Sequence, residues 1–363
     1  GRKLPFLSRQ CACAVTFDGK RLHCRHSFDT FDEKEFPDRE RSASYDPDGR
    51  YKGVRGYRFE NRWYIGEGNH NCIAADVDGD GRDEVLTGAL CYELDRQNRL
   101  RVKWCSFLGH GDVMHIGAYD PVRARYVLFT THEPGEQHPV TRRMLDHGMS
   151  VLDAKTGEVL FHTGAPDDTG RGMLADVGAG GQYQFWGITE VGAEKTKLYH
   201  TPLMRTEDGF KDTKIPGATA NFRIFWDGDL YDELLDGESE GPLCITSWNG
   251  KQMEEIFRTD GCVSINGTKA NPCLQADLLG DWREELVMAR ADNEALRVFI
   301  SDIPTEYAFM TLMHDLVYRS GVAAEQTAYN QPPHLGFYLS KECFERQNQK
   351  IDSNTRRTGG SGE

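Results

Sequence analysis

Gly68-Asn69-His70-Asn71, Leu108-Gly109-His110-Gly111-Asp112 and Thr131-His132-Glu133 each put an imidazole or a carboxylate at the edge of a strand-like run. His70, His110, Asp112 and Glu133 are therefore candidates to converge on one cation or one acidic substrate group. Loop histidines satisfied by capping carboxylates would show the same spacing. Thr169-Gly170-Arg171-Gly172-Met173 sets a guanidinium between glycines, so backbone can approach a ligand while the side chain forks onto a carboxylate. Asn266-Gly267-Thr268-Lys269 presents amide and hydroxyl oxygens beside an ammonium. Thr327-Ala328-Tyr329-Asn330-Gln331-Pro332-Pro333-His334 is an aromatic and amide loop stiffened by two prolines, suited to a sugar or to a plain structural turn. No Ser/His/Asp triad order, phosphate loop or dinucleotide fingerprint accompanies these segments.

The elements that must position them are marked by a second motif. Asp76-Val77-Asp78-Gly79-Asp80-Gly81-Arg82-Asp83 opens as a calcium loop does, with alternate aspartates followed by glycine. The residue where an EF-hand carries its bidentate Glu is Thr87, and the flanks are strand-like. Asp76, Asp78, Asp80 and Asp83 thus read as structural ligands of a calcium-stapled loop between strands. Weaker echoes are centred on Asp120, Asp176, Asp227 and Asp277, at steps of 44, 56, 51 and 50 residues. A period of about 40–50 residues is that of a four-stranded propeller blade.

Turns at Phe17-Asp18-Gly19-Lys20, Ala154-Lys155-Thr156-Gly157-Glu158 and Trp248-Asn249-Gly250-Lys251 would close outer hairpins. The expected fold is an all-β propeller with about four to five blades over residues 1–345. Helix signals are few, with one turn expected at Ala291–Ala295. The stretch from Arg39 to Gly49 reads as a surface excursion, and residues 346–363 as a polar, disordered tail.

A net charge of −14 argues against a nucleic-acid partner, which wants a basic face, and suits carboxylate nests for divalent cations. No apolar run is long enough to span a membrane. The ten cysteines include no C-x-x-C pair, which weighs against a zinc ribbon or redox motif. Those in apolar runs are expected as buried thiols, with one or two disulfides open. Gly1-Arg2-Lys3-Leu4-Pro5 shows no apolar signal core.

Together these segments resemble the rhamnogalacturonan lyases of polysaccharide lyase family eleven. The resemblance rests on the His70, His110-Asp112, His132-Glu133, Arg171 and Asn266–Lys269 motifs. It extends through Phe225-Trp226-Asp227-Gly228-Asp229-Leu230, the block from Leu274 to Glu285, Leu312-Met313-His314-Asp315 and Ala328–His334, in unbroken order from about Cys11 to Tyr338. It implies an eight-bladed propeller with several Ca2+ ions that cleaves the rhamnose-to-galacturonate bond of rhamnogalacturonan I in pectin by β-elimination. It also implies a cleft calcium near His70, His110, Asp112 and Glu133. Arg171, Lys269 and Tyr329 would be the catalytic residues, and Asn266, Gly267 and Thr268 would hold the sugar. An extracellular or periplasmic location follows from such a substrate.

Removing the proton α to a uronate carboxylate builds an enolate-like dianion, which calcium and Arg171 would stabilise. Lys269 is the first choice of base, although an ordinary ammonium titrates at about 10.4 and needs lowering by neighbouring cations. A guanidinium hardly deprotonates. Tyr329 would donate to the leaving oxygen or position the rhamnose.

Two departures stand out. The family's catalytic module is longer at its N-terminus, so a second chain supplying further blades is one expectation. The segment from Pro134 to His147 is also longer than the family pattern. The competing function is a non-catalytic, calcium-dependent propeller that binds acidic glycans or a protein.

Overall fold

The computed structural model describes residues 11–29, 64, 66–120, 125–134, 145–165, 167–180, 182–191, 196–199, 203–206, 209–327, 329 and 331–347. The expected excursion between Arg39 and Gly49, and the tail from 348 onward, lie outside the described residues. Alternating apolar residues fold the chain into antiparallel strands taken in sequence order. β1 (Cys11–Phe17) and β2 (Leu22–Asp29) form a hairpin around Asp18-Gly19.

Five larger sheets follow among the described residues. The first holds β3 (Ile73–Ala75), β4 (Glu84–Leu86), β5 (Leu90–Leu94) and β6 (Leu100–Cys105). The second holds β7 (Met114–Asp120), β8 (Arg125–Thr131), β9 (His147–Asp153) and β10 (Val159–Gly164). The third has five strands, β11 (Arg171–Ala175), β12 (Gln184–Val191), β13 (Thr196–Tyr199), β14 (Leu203–Thr206) and β15 (Gly209–Asp212). The fourth holds β16 (Phe222–Ile224), β17 (Glu233–Gly237), β18 (Leu243–Trp248) and β19 (Met253–Arg258). In the fifth, β22 (Glu285–Arg290) pairs with β20 (Cys262–Val263), β21 (Leu274–Ala276) and β23 (Leu296–Phe299).

Neighbouring sheets pack face to face, as propeller blades do. Leu86, Cys91 and Trp104 meet Met114, Ile116 and Leu128, and Phe129 and Val151 meet Leu174 and Phe185. Met173 and Trp186 meet Leu234 and Met253, and Phe222, Ile224 and Leu243 meet Leu286 and Met288. Each fully buried Leu or Phe contributes about 1.5–3 kcal/mol through area removed from water.

The repeated aspartates fall at one strand-to-strand handover in each of the five sheets, β3–β4, β7–β8, β11–β12, β16–β17 and β21–β22. In four of them a buried side chain opening the later strand accepts backbone N–H groups from the loop. Glu84 accepts from Val77, Gln184 from Val177, Glu233 from Trp226 and Asp227, and Glu285 from Leu278 and Leu279. This capping satisfies donors that would otherwise be orphaned in the tight loop.

What the sequence reading did not foresee is the segment after the last blade, which runs through the axis of the arc. Asp315 caps helix α1 (Leu316–Ala324) by accepting from the N–H groups of Val317 and Tyr318. The helix touches both β3 and β21. Tyr318 donates its hydroxyl to Glu284 at 2.8 Å, Tyr126 donates to the Gly336 carbonyl at 2.9 Å, and Tyr338 donates to Asp176. His115 and His334 share a 2.7 Å hydrogen bond. Gln331 and His334, expected in a sugar-facing loop, are therefore buried in the axis.

Two further expectations need correction, and a third is met in part. Ala291–Ala295 is no helical turn but the hairpin turn between β22 and β23. Residues 341–347 form a second helix, α2, so the tail is ordered through 347. Nine cysteines among the described residues are free thiols, of which Cys91 and Cys262 are buried while Cys13, Cys24 and Cys72 are exposed. Among the described residues no helix is long and apolar enough to cross a membrane.

The axis also stores buried charge. Burial pushes the Asp176 carboxyl up to about 7, against hydrogen bonds from Tyr338 and the Gly178 N–H. Burial pushes Asp232 up to about 6, with Arg223 pulling the other way. Folded-state values above the unfolded one mean that the native state binds these protons more tightly. Their stabilising contribution is complete below about pH 4 and is lost as pH rises through about 6–7. Asp176→Asn should flatten this dependence by about 1–3 kcal/mol between about pH 5 and 8, read from denaturant midpoints. Identical pH slopes in variant and wild type would refute the assignment.

Candidate active site

The cleft is built at the strand ends on either side of a close backbone approach. Asn69 and Gly111 form an isolated parallel bridge. A Cβ at Gly111 would sit 2.0 Å from the Thr131 carbonyl oxygen, so only glycine fits. That approach brings the ends of three segments together. His110 Nδ1 is held by the Gly68 carbonyl at 2.8 Å, which turns Nε2 outward. His110 Nε2 lies 3.2 Å from His70 Nε2 and 3.7 Å from Glu133 Oε1. His70 Nε2 lies 3.4 Å from Asp112 Oδ1.

Ligand atoms of His70, His110 and Asp112 all fall within 4.8 Å of one another. Burial lowers the His70 pKa below its ordinary value, against the pull of Asp112, with His110 and Lys269 adding to the lowering. A neutral imidazole keeps a lone pair for a metal. His132, by contrast, is turned into the interior at 1% exposure, and burial holds its pKa down at about 3.

Tyr329 connects this cluster to the cationic residues. Its ring centroid is 3.9 Å from that of His70, and Lys269 Nζ stands 3.9 Å from the same centroid. Burial raises the Tyr329 phenol, as do Asp112, Glu133 and Asp168, while Arg171 opposes them. Lys269 ends a short 3-10 turn, Gly267–Lys269, flanked by left-handed Asn266 and Ala270. Arg171 opens β11 and donates from Nη1 to Asn221 Oδ1 at 2.8 Å. Asn221 Nδ2 in turn donates to the carbonyls of Lys269 and Ala270 at 2.8 and 3.0 Å.

Arg171, Lys269, Tyr329, His70, His110, Asp112 and Glu133 thus form one continuous chain of contacts. Asn266 and Gly267 are exposed on the same turn, and Asn266 Nδ2 donates to Asn271 Oδ1 at 2.9 Å. Thr268 lies within it.

The Asp76 loop lies apart and differs from its expected ligand set. Oxygens of Asp76, Asp78 and Glu84 group within 4.8 Å, whereas Asp80 and Asp83 stand outside that group. Asp80 Oδ1 instead accepts from the Arg82 N–H at 2.9 Å, and Asp83 is exposed. The buried Glu84 replaces them because it opens β4 and points back under the loop. Lys103 Nζ lies 2.6 Å from Asp78, 3.0 Å from Glu93 and 3.4 Å from Glu84, already offsetting the negative charge.

Two cleft residues were missed from sequence. Asn221 sits in Ala220-Asn221-Phe222, which carries no motif. Asp168 had a readable signal, the Asp167-Asp168 pair just before Thr169-Gly170-Arg171. A Cβ on Gly170 would lie 3.4 Å from Asp112 Oδ2 and 3.9 Å from both Asp168 oxygens, so the two carboxylates flank that glycine.

The family model described as rhamnogalacturonan lyase family 11, C-terminal domain, matches residues 54–349. The chain belongs to this family. Rhamnogalacturonan exolyase YesX of Bacillus subtilis (strain 168) is 40% identical over 302 residues, covering 78% of this chain and 47% of YesX. Rhamnogalacturonan endolyase YesW of the same strain is 41% identical over 288 residues, covering 79% of this chain and 42% of YesW. The crystal structure of exotype rhamnogalacturonan lyase YesX aligns with a TM-score of 0.73 at 37% identity, over 92% of this chain and 50% of that one. This family-11 chain spans about half the length of the curated relatives it matches. Its near-equal identity to an exolyase and an endolyase favours neither mode of attack.

Proposed function

We propose that this chain carries the catalytic cleft of a rhamnogalacturonan lyase that breaks the rhamnose-to-galacturonate bond of rhamnogalacturonan I by β-elimination. The observation that carries the reading is the contact chain from Arg171 through Asn221, Lys269 and Tyr329 to His70. It sets a guanidinium, an amine and a phenol around one space, as removal of a proton beside a uronate carboxylate requires. Arg171 forks onto the carboxylate and draws off the charge that develops there. Lys269 Nζ takes the α-proton, and the electron pair left behind forms the new carbon–carbon double bond as the glycosidic C–O bond breaks. Tyr329 gives its proton to the departing oxygen. Its raised pKa keeps that proton in place until then. Asn266, Gly267 and Thr268 hold the sugar along the exposed turn.

Among the described residues three donor sets could hold a cation, Asp227, Asp229 and Glu233 being one, and two of them bear on this reading. The oxygens of Asp76, Asp78 and Glu84 suit calcium as a structural staple. His70, His110 and Asp112, with Glu133 3.7 Å from His110, form a mixed nitrogen and oxygen set in the cleft; its carboxylates suit Ca2+, the ion that the family resemblance implies, while its imidazoles are the less usual calcium ligands. When bound there, the ion supplies positive charge to the uronate carboxylate. The protein incubated with rhamnogalacturonan I should generate the ultraviolet absorbance of unsaturated uronate. Chelation should abolish that signal and added Ca2+ should restore it. Binding of the glycan without any unsaturated product would instead favour the non-catalytic propeller.

A further inference from the structure

Resting on the lyase reading above, we propose that Asn221 is a positioning residue that locks Arg171 and the Lys269 turn into one register. Asn221 is 5% exposed and immediately precedes β16, between Ala220 and Phe222, both buried in blade cores. Trp186 Nε1 donates to the Thr219 carbonyl at 2.9 Å and fixes the backbone just before it. The side chain leaves this anchored point toward two catalytic residues from different blades. Its carbonyl oxygen accepts from Arg171, and its amide nitrogen donates to the carbonyls of Lys269 and Ala270.

The turn needs such a clamp. Asn266 and Ala270 both adopt left-handed backbone, at φ of 64° and 48°, which side chains with a Cβ resist unless surrounding contacts hold them. Two backbone bonds between Ile265 and Asn271, at 2.9 and 3.0 Å, close the base of the turn. Asn221 ties the carbonyls at its Lys269 end to the neighbouring blade. A neutral amide also suits the charges on either side. It links a guanidinium to the turn that bears Lys269 without adding a charge of its own. An aspartate here would pair with Arg171, compete with the substrate carboxylate and set its charge against two carbonyl oxygens.

Asn221→Ala and Asn221→Asp in the full chain separate these roles. In Asn221→Ala, kcat should fall on the order of 100-fold, the size of loss expected when reacting groups drift by about 1 Å, while KM stays within about threefold. In Asn221→Asp, KM should rise about tenfold or more as well, because the new carboxylate occupies Arg171. A kcat within about threefold of wild type in both variants would overturn the inference.

Hydrogen exchange provides a readout that does not depend on turnover. Amides of residues 265–271 should exchange about tenfold faster in either variant, while those of the β18–β19 hairpin keep wild-type rates. Unchanged exchange at 265–271, or equal acceleration in both regions, would also overturn it. If wild type yields no unsaturated product, the lyase reading fails, and hydrogen exchange still decides whether Asn221 clamps the turn.

Discussion

Lys269→Ala should lower kcat on rhamnogalacturonan I by about 10²–10⁴-fold, the usual worth of a positioned general base, and leave glycan affinity within a few-fold of wild type. The asymmetry follows from where the amine stands. Lys269 Nζ lies over the Tyr329 ring, at the end of a turn whose other residues are proposed to hold the sugar. The carboxylate of the substrate is assigned to Arg171, so the substrate's charged anchor survives the substitution. The measurements are initial rates of unsaturated-uronate formation and calorimetric binding to rhamnogalacturonan fragments. Turnover above about a tenth of wild type would remove Lys269 as the base. Loss of binding in step with rate would make it a substrate contact instead.

Arg223→Ala should destabilise the fold by about 3–5 kcal/mol, without any contact to the cleft. Arg223 is 2% exposed and bonds to Glu284 at 3.0 Å and to the Pro333 carbonyl, with Asp232 at 3.6 Å. Taking the guanidinium away leaves Glu284, itself wholly buried, without its cationic partner. The accepted bonds from Gln275, Phe225 and Tyr318 soften that loss only in part. The check is the denaturant midpoint against wild type. A loss below about 1 kcal/mol would mean that the carboxylates protonate or rehydrate at little cost.

The blades were legible because their signals are local. Asp18-Gly19 and Asn249-Gly250 each close a hairpin between adjacent strands, and every repeated aspartate marks a handover within one sheet. The cleft residues were singled out by type and local segment, but their shared site and roles came from the resemblance, because separate blades must be folded before they meet. Glu84 escaped notice since a buried acid looks like any strand-flanking Glu in sequence. Asn221 escaped because its three partners lie 48 to 50 residues away in sequence. Helix α1 was missed for a different reason. Leu-Val-Tyr-Arg-Ser-Gly-Val-Ala-Ala carries a serine and a glycine mid-helix, which weaken its propensity. Its real specification is the Asp315 cap and the axis that it fills.

That axial segment divides the molecule into two classes of contact. Within a blade, partner strands are separated by short turns. Along the axis, His115 meets His334 across 219 residues, Tyr126 meets Gly336 across 210, and Asp176 meets Tyr338 across 162. Closing such distances is entropically costly and slow compared with hairpin formation. During synthesis each blade can therefore assemble as it emerges. The hydrophilic lining of the axis, with Arg223, Asp232 and His115, must wait in water for a strand of chain made more than a hundred residues later. The order of translation thereby makes the centre of this protein the last part to become dry.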